Sequence, residues 1–219
     1  EILSHTNGLP RNIQQCLIDY KIPLILSHTV TEIHGINRVK SITISPVNKN
    51  LKPIRGKEKR ITCDTLLLSI GLIPENDLAK TCGVKLSSTT RGAIVNENLE
   101  TSVPGIFACG NVLHVHDVVD FVTLEAQRAG KSAAKYILKS HQNIERIQVE
   151  TGSGIRYALP HYISCDTDLE LSIRVVSPGE NISIGFFDGT KLVKTKKFRK
   201  VHPAQMIKIK LKRSDTKAI

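Results

Sequence analysis

The spacing of apolar positions changes several times along the chain, and each change marks an element. Leu9-Pro10-Arg11 opens a stretch with Ile13, Cys16, Leu17 and Tyr20 on one face, which predicts a short amphipathic helix with proline near its start. Ile22 to Leu26, Thr29 to Ile36 and Val39 to Ser45 then read as strands, the last alternating Ile42 and Ile44 with Ser41, Thr43 and Ser45. Residues 46 to 60, with Pro46, Asn48, Asn50, Pro53 and Gly56 among basic side chains, carry no apolar period and predict a loop. Arg60 to Ile70 reads as a strand ending in a nearly continuous apolar run. Such a run suits a strand covered on both faces and implies a parallel sheet. Ala93 to Val95 and Ile106 to Cys109 are two further short buried strands, separated by turn-forming Asn96, Asn98, Pro104 and Gly105.

A long helix follows. Val122, Ala126, Ala129, Ala133 and Ile137 share its apolar face, Asp120 is its expected cap, Glu125 lies near its start, and Lys131, Lys135 and Lys139 run toward its end. After about Ser140 the period becomes two. Ile155 to Leu159, Leu169 to Val175, Asn181 to Phe187, Lys191 to Val201 and Met206 to Lys212 predict a small antiparallel sandwich or barrel, with a hairpin signal at Asp188-Gly189.

Composition narrows the class. The 219 residues are 40% hydrophobic, enough to bury a core. No run of roughly 18 apolar residues occurs, so no membrane-spanning helix is expected. The opening residues Glu1, Ile2 and Leu3 show no secretory signal. Cys16, Cys63, Cys82, Cys109 and Cys165 are odd in number and widely spaced, which predicts reduced thiols in a cytoplasmic protein. The net charge of +11 is a property of the tail, because residues 186 to 219 hold 11 Lys and Arg against 2 Asp and Glu. There Lys208, Lys210 and Lys212 alternate with Ile207, Ile209 and Leu211, a pattern that usually protects an edge strand.

The most specific chemistry sits at Thr101-Ser-Val-Pro-Gly-Ile-Phe-Ala-Cys-Gly-Asn111. A buried strand ending in Gly110-Asn111 is either an ordinary strand-to-turn transition or the carboxyl end of a strand where ligands of open α/β sheets bind. Gly110 would let a ligand approach the backbone, and Asn111 offers a donor and an acceptor. This stretch resembles the ribityl-binding fingerprint of flavoproteins with two dinucleotide-binding domains, the pyridine nucleotide-disulfide oxidoreductase-like family, with Asn111 where the family has Asp. Leu66 to Pro74 is similar to that family's apolar strand ending in Gly-x-x-Pro, and carries Gly71. The nearest resemblance within it is to bacterial FAD/NAD(P) oxidoreductases related to the anaerobic glycerol-3-phosphate dehydrogenase system, through Gly71 to Asn76 and Gly110 to Asp117.

The resemblance implies an α/β chain of partial FAD/NAD(P)-binding Rossmann-like domains followed by a small all-β domain. Residues 1–60 would be the end of an NAD(P)-binding domain, 61–140 the end of an FAD-binding domain, 141–154 a linker and 155–219 the all-β domain. The family's two Gly-rich phosphate loops do not occur here, so the chain reads as a carboxyl-terminal fragment, inactive alone. Glu1 would be the acidic residue that holds the adenosine ribose. FAD, with NAD or NADP, is the implied cofactor pair. Gly71, Gly110, Asn111, Val122 and Thr123 are the expected cofactor contacts, the last two because the long helix would aim its N-terminus at the flavin.

His114-Val115-His116-Asp117 could bind zinc, act as acid and base near a flavin, or be plain loop residues. His114 and His116 are therefore candidate catalytic residues, while two imidazoles alone supply too few ligands for a dedicated metal site, and none is expected. Cys109 reads as a small buried hydrophobe rather than a redox thiol. The expected function is an FAD-dependent NAD(P) oxidoreductase passing hydride or electrons between nicotinamide, flavin and a small-molecule substrate or a partner oxidoreductase subunit, as a monomer or an oligomer. Its rival is a non-catalytic basic β-module binding nucleic acid or an acidic protein. The near absence of aromatics among the Lys-rich strands disfavours nucleic acid.

Overall fold

A computed structural model describes residues 1–138, 145–164 and 167–216. Two compact units result, Glu1–Gly71 and Leu72–Ile219. The expected helix in the first unit is a single α-turn, α1 (Pro10–Ile13), continued by a π-helical turn over Gln14–Ile18, with Pro10 at its start. Strands β1 (His28–His34), β2 (Ser41–Pro46) and β3 (Lys59–Thr62) form an antiparallel meander in that order. A bulge between Val30 and Glu32 shifts the β1–β2 register. The buried hydroxyl of Ser45 donates to the Ile54 carbonyl at 2.9 Å, tying the 47–58 loop back to β2.

Two expectations for this unit are corrected. Ile22 to Leu26 forms no strand, and the strand expected over 60–70 stops at Thr62, its apolar continuation joining no sheet. Leu67, Leu68 and Ile70 are 90%, 65% and 88% exposed. A strand of this composition is stabilised by neighbours on both faces, and no parallel ladder is present among the described residues. Every named strand pairing is antiparallel, and the parallel pairing found is a single bridge between Asn96 and Tyr162.

In the second unit, α2 (Asp77–Thr81) precedes a run of tight turns joined by single bridges, Leu86 with Ala93, Val95 with Thr101, and Glu100 with Phe107. The strands expected at 93–95 and 106–109 are thus short extended pieces, though Ala93, Val95 and Ala108 are buried as anticipated. Helix α3 (Val119–Ile137) follows, with residues 139–144, including Lys139 and the first part of the expected linker, outside the described set.

The remaining strands are β4 (Ile147–Gln148), β5 (Ile155–Leu159), β6 (Tyr162–Ile163), β7 (Leu169–Val175), β8 (Gly179–Asp188), β9 (Lys191–Val201) and β10 (Ile207–Leu211). A short helix, α4 (Arg213–Thr216), ends the described chain. β10, β7 and β5 form one antiparallel sheet with β7 central, and β8 and β9 form a hairpin whose two-residue turn is Gly189-Thr190.

Period-two alternation explains the packing. Leu169, Leu171, Ile173 and Val175 of β7 join Ile207, Ile209 and Leu211 of β10, and Ile184 and Val201 of the hairpin, in one apolar cluster. The opposite face of the same sheet sends Tyr157 and Leu159, with Met206 just before β10, into a second cluster with Val84, Val95, Leu99, Leu113 and Ala129. The strands and α3 therefore share a core within this unit. On the edge strand, Lys208 does more than guard the edge: its ammonium pairs with Glu170 at 3.3 Å and lies 4.6 Å above the Phe121 ring.

Candidate functional site

The turn at 110–117 is fixed by close backbone approaches. Gly110 has φ +71°, and a Cβ there would meet Val122 Cγ1 at 3.3 Å, so the turn lies directly against α3. Gly92 packs against the Leu113 backbone so tightly that an added Cβ would overlap the Leu113 carbonyl oxygen at 1.7 Å. Buried Asn76 donates to the carbonyls of Arg91 at 3.0 Å and Val112 at 2.8 Å, pinning the same turn from below. Asn111 is exposed, and its Oδ1 accepts the His116 backbone N–H at 3.1 Å.

Helix α3 starts beside this turn. Asp120 does not cap it: the cap position is Val118, in an extended conformation with no side-chain hydrogen bond, and Asp120 falls in the first turn. The buried stripe is also rotated from the expected one. Glu125, Ala129 and Ser132 face inward, while Ala126 and Ile137 are exposed. The first-turn N–H groups thus lack the side-chain partner that usually satisfies them.

At the centre of the unit is a buried polar network. Glu125 accepts the Gly110 N–H at 2.6 Å, His114 Nε2 meets its Oε1 at 3.0 Å, and His116 Nε2 meets its Oε2 at 3.0 Å. The His114 Nδ1 lies 3.3 Å from the Tyr157 hydroxyl, which takes a hydrogen bond from Arg174 Nε at 3.0 Å. Because Arg174 can only donate, the Tyr157 hydroxyl hydrogen is left for His114 Nδ1. That assigns the His114 proton to Nε2, facing Glu125.

Arg174 completes the network with donations to the carbonyls of Pro203 at 2.7 Å and Val115 at 2.8 Å, and an ion pair with Asp117. Asp117 also accepts the Met206 backbone N–H. The carboxylate of the His-Val-His-Asp cluster is therefore taken up by Arg174 and is turned to a different partner from the two imidazoles.

The electrostatics follow from burial and these bonds. Burial pushes the Glu125 carboxyl up, but hydrogen bonds from His114, His116 and the Gly110 N–H outweigh it and hold the pKa at about 2. His114 is pushed below its ordinary value by burial, against the pull of Glu125, and stays neutral. Burial raises the Cys109 thiol, with the Glu125 charge adding to it, so Cys109 is a protonated, half-buried side chain as anticipated. Cys16, Cys63, Cys82 and Cys109 are free thiols, and Cys165 lies outside the described residues.

Of the residues singled out from sequence, the structure brings together Gly110, Asn111, His114, His116 and Val122. Thr123 is exposed one position further along α3, its hydroxyl donating to the Val119 carbonyl at 3.2 Å. Gly71 closes the first unit with φ +93° and open space where a Cβ would stand. Glu1 folds onto its own strand of chain, its Oε1 accepting the Leu3 N–H at 3.0 Å. Both histidine side chains are only 1% exposed, so neither is a surface loop residue. The organising role of Glu125 escaped the sequence reading, as did Tyr157 and Arg174. The available signal was a carboxylate on the inner stripe of α3, four residues before Ala129.

The pattern shared by pyridine nucleotide-disulphide oxidoreductases matches residues 5–154. Among individual relatives, the ferredoxin–NADP reductase of Picrophilus torridus is 34% identical over 95 residues, covering 43% of this chain and 27% of that protein. The mitochondrial dihydrolipoyl dehydrogenase of Caenorhabditis elegans is 32% identical over 120 residues, 52% of this chain and 23% of that one. The rubredoxin-NAD(+) reductase of Acinetobacter baylyi is 26% identical over 161 residues, 72% of this chain and 38% of that one. The chain thus spans about a quarter to two fifths of the length of these curated relatives. No helix among the described residues is long and apolar enough to cross a membrane. With the family pattern covering the segment that holds the Gly110 turn, the start of α3, His114, His116 and Glu125, the chain belongs to the pyridine nucleotide-disulphide oxidoreductase family.

Proposed function

We propose that this chain contributes one wall of the FAD site of an FAD-dependent NAD(P) oxidoreductase. The observation that carries the reading is the Gly110-Asn111 turn, anchored by the Gly110 N–H on buried Glu125, beside a helix start with no side-chain cap. The residues fit such a group. Buried Gly110 brings the turn hard against the start of α3, where an added Cβ would press on Val122 Cγ1 at 3.3 Å. Exposed Asn111 has two amide N–H donors for a ribityl hydroxyl while its oxygen is held by His116 N–H. The first turn of α3, with Val119 73% exposed, offers backbone N–H groups and the positive end of the helix dipole to negative charge.

When bound, a flavin supplies hydride acceptance from a reduced nicotinamide and onward electron transfer. This chain's own residues bind and orient. Glu125, Asn76 and the Gly92–Leu113 contact hold the turn rigid, and Asn111 and the first-turn amides present fixed donors that cost no reorganisation. The names of the relatives support a small redox protein as electron partner, alongside a small-molecule substrate. The narrower link to a glycerol-3-phosphate system rests on the Gly71–Asn76 and Gly110–Asp117 stretches alone, and the comparisons add nothing to it. Gly71, Val122 and Thr123 remain proposed cofactor contacts by position.

The test is the flavin content of the full gene product that carries this chain. We expect bound FAD and NAD(P)H oxidation, with Asn111→Leu weakening FAD by roughly tenfold, about the 1.4 kcal/mol of one well-made hydrogen bond. A flavin-free gene product that binds nucleic acid with steep salt dependence would overturn the reading in favour of the basic β-module.

A further inference from the structure

We propose that the side chains of His114, His116 and Glu125 form a binding site for a single divalent transition-metal ion of the zinc class. The ligand atoms of these three residues all lie within 4.8 Å of one another. Each imidazole Nε2 is 3.0 Å from a Glu125 oxygen. Zinc holds imidazole nitrogen and carboxylate oxygen at roughly 2.0 to 2.2 Å, so two ligands of one ion stand roughly 3.0 to 3.6 Å apart. The two nitrogen–oxygen spacings already stand at the edge of that range, and the widest spacing within the 4.8 Å cluster closes to it with a shift of about an ångström. Two imidazoles and a glutamate are the donor set of one class of zinc sites, with a water molecule in the remaining tetrahedral position.

The surroundings are built as a metal site's are. With a metal on Nε2 the His114 proton moves to Nδ1 and is donated to the Tyr157 hydroxyl oxygen, itself fixed by Arg174, while Glu125 is oriented by the Gly110 N–H. The side chains are 1%, 1% and 8% exposed, so competing water is excluded. Two observations point to a missing partner. The His116 Nδ1 is buried and makes no hydrogen bond, an orphan that ordinarily costs about 1 to 3 kcal/mol. The buried Glu125 carboxylate touches no lysine or arginine among the described residues, since the nearest guanidinium in the network, Arg174, is committed to Asp117, Tyr157 and two carbonyls. A cation among the three side chains answers the second need.

This reverses the expectation from sequence, which counted two imidazoles. The third ligand arrives from α3, eleven residues beyond His114 and nine beyond His116. The proposal is independent of the flavin reading, because the three side chains lie wholly within the second unit and need no cofactor to converge.

The test uses the full gene product, stripped with a chelator and titrated with Co(II), then Zn(II). We expect one equivalent of Co(II) with visible ligand-field absorption and no thiolate-to-metal band, displaced by one equivalent of Zn(II). Glu125→Gln, which keeps the side chain's shape and hydrogen-bonding oxygen, and His116→Ala should each abolish stoichiometric uptake, with circular dichroism confirming that the variants are folded. Tyr157→Phe, which removes the hydroxyl shared by His114 Nδ1 and Arg174 Nε, should weaken binding by roughly 10- to 100-fold. No Co(II) spectrum in the stripped protein, or uptake unchanged in folded Glu125→Gln, would overturn the proposal and leave the cluster a purely hydrogen-bonded one.

Discussion

The two units solve the problem of burial very differently. In Glu1–Gly71 a three-stranded meander buries one large apolar side chain, Ile44, while Ile18, Tyr20, Ile22, Ile33, Ile36, Leu67 and Ile70 remain exposed. In Leu72–Ile219 the same kinds of residue form two packed clusters, and a buried polar network runs beside them with nearly every group satisfied. Apolar burial stabilises by roughly 25 cal/mol per Å² and is the dominant favourable term in folding. The second unit therefore carries most of the chain's own stability. It also carries the 110–125 region, where close backbone contacts and buried hydrogen bonds fix the geometry, whereas the first unit presents apolar surface still in need of cover.

The largest expected effect sharpens this contrast at Arg174. Arg174→Met leaves Asp117 as a buried charge without its partner, which typically costs about 3 to 5 kcal/mol. Thermal unfolding of the second unit should move down by roughly 2 to 4 °C per kcal/mol, with the first unit's signals unmoved. An unchanged midpoint would mean that the network is ornamental to the fold. Next comes Leu113→Ala, which empties a fully buried position beside Gly92. A loss of about 2 to 5 kcal/mol is expected, read by denaturant midpoint at constant slope.

The third effect is a pH dependence, measured with chelator present. Glu125 has a folded pKa near 2, below its ordinary 4.5, so its contribution is complete above 4.5 and is lost as pH falls toward 2. His114 is also depressed from 6.5, so the unfolded chain binds that proton first and stability begins to fall below 6.5. Acid should therefore destabilise the second unit, and Glu125→Gln should flatten the arm below 4.5. The smallest effect is Leu67→Ser in the first unit, where 90% exposure predicts a change within about 0.5 kcal/mol. A larger loss there would show that the apolar run is packed in solution and would break the contrast between the units.

The same contrast explains what could be read from the sequence. The long strands between 155 and 211 emerged almost residue for residue, with the hairpin turn at Gly189-Thr190, one residue beyond the Asp188-Gly189 signal, because period-two alternation over one buried face is a local signal. Ile22–Leu26 and Thr65–Ile70 carry equally strong β composition but join no β ladder among the described residues, since a continuously apolar strand depends on neighbours that composition cannot supply. The long helix was legible, yet its inner stripe was misplaced by one position. Ala126 and Ile137 looked like core, while Glu125, the true inner residue, looked like a helix-dipole ornament. At the site, Gly110, Asn111 and the two histidines stood out by motif. Their common partner lies a loop and a helix turn away, a distance that only the folded chain closes.

The most direct test of the central claim, that the Gly110 turn and the start of α3 line a flavin site, is amide hydrogen exchange on the full gene product with and without FAD. The account predicts slowed exchange on FAD addition concentrated at residues 110–123, with β8 and β9 unaffected. FAD that binds while leaving 110–123 unchanged, or slows exchange only in the basic hairpin, would contradict it.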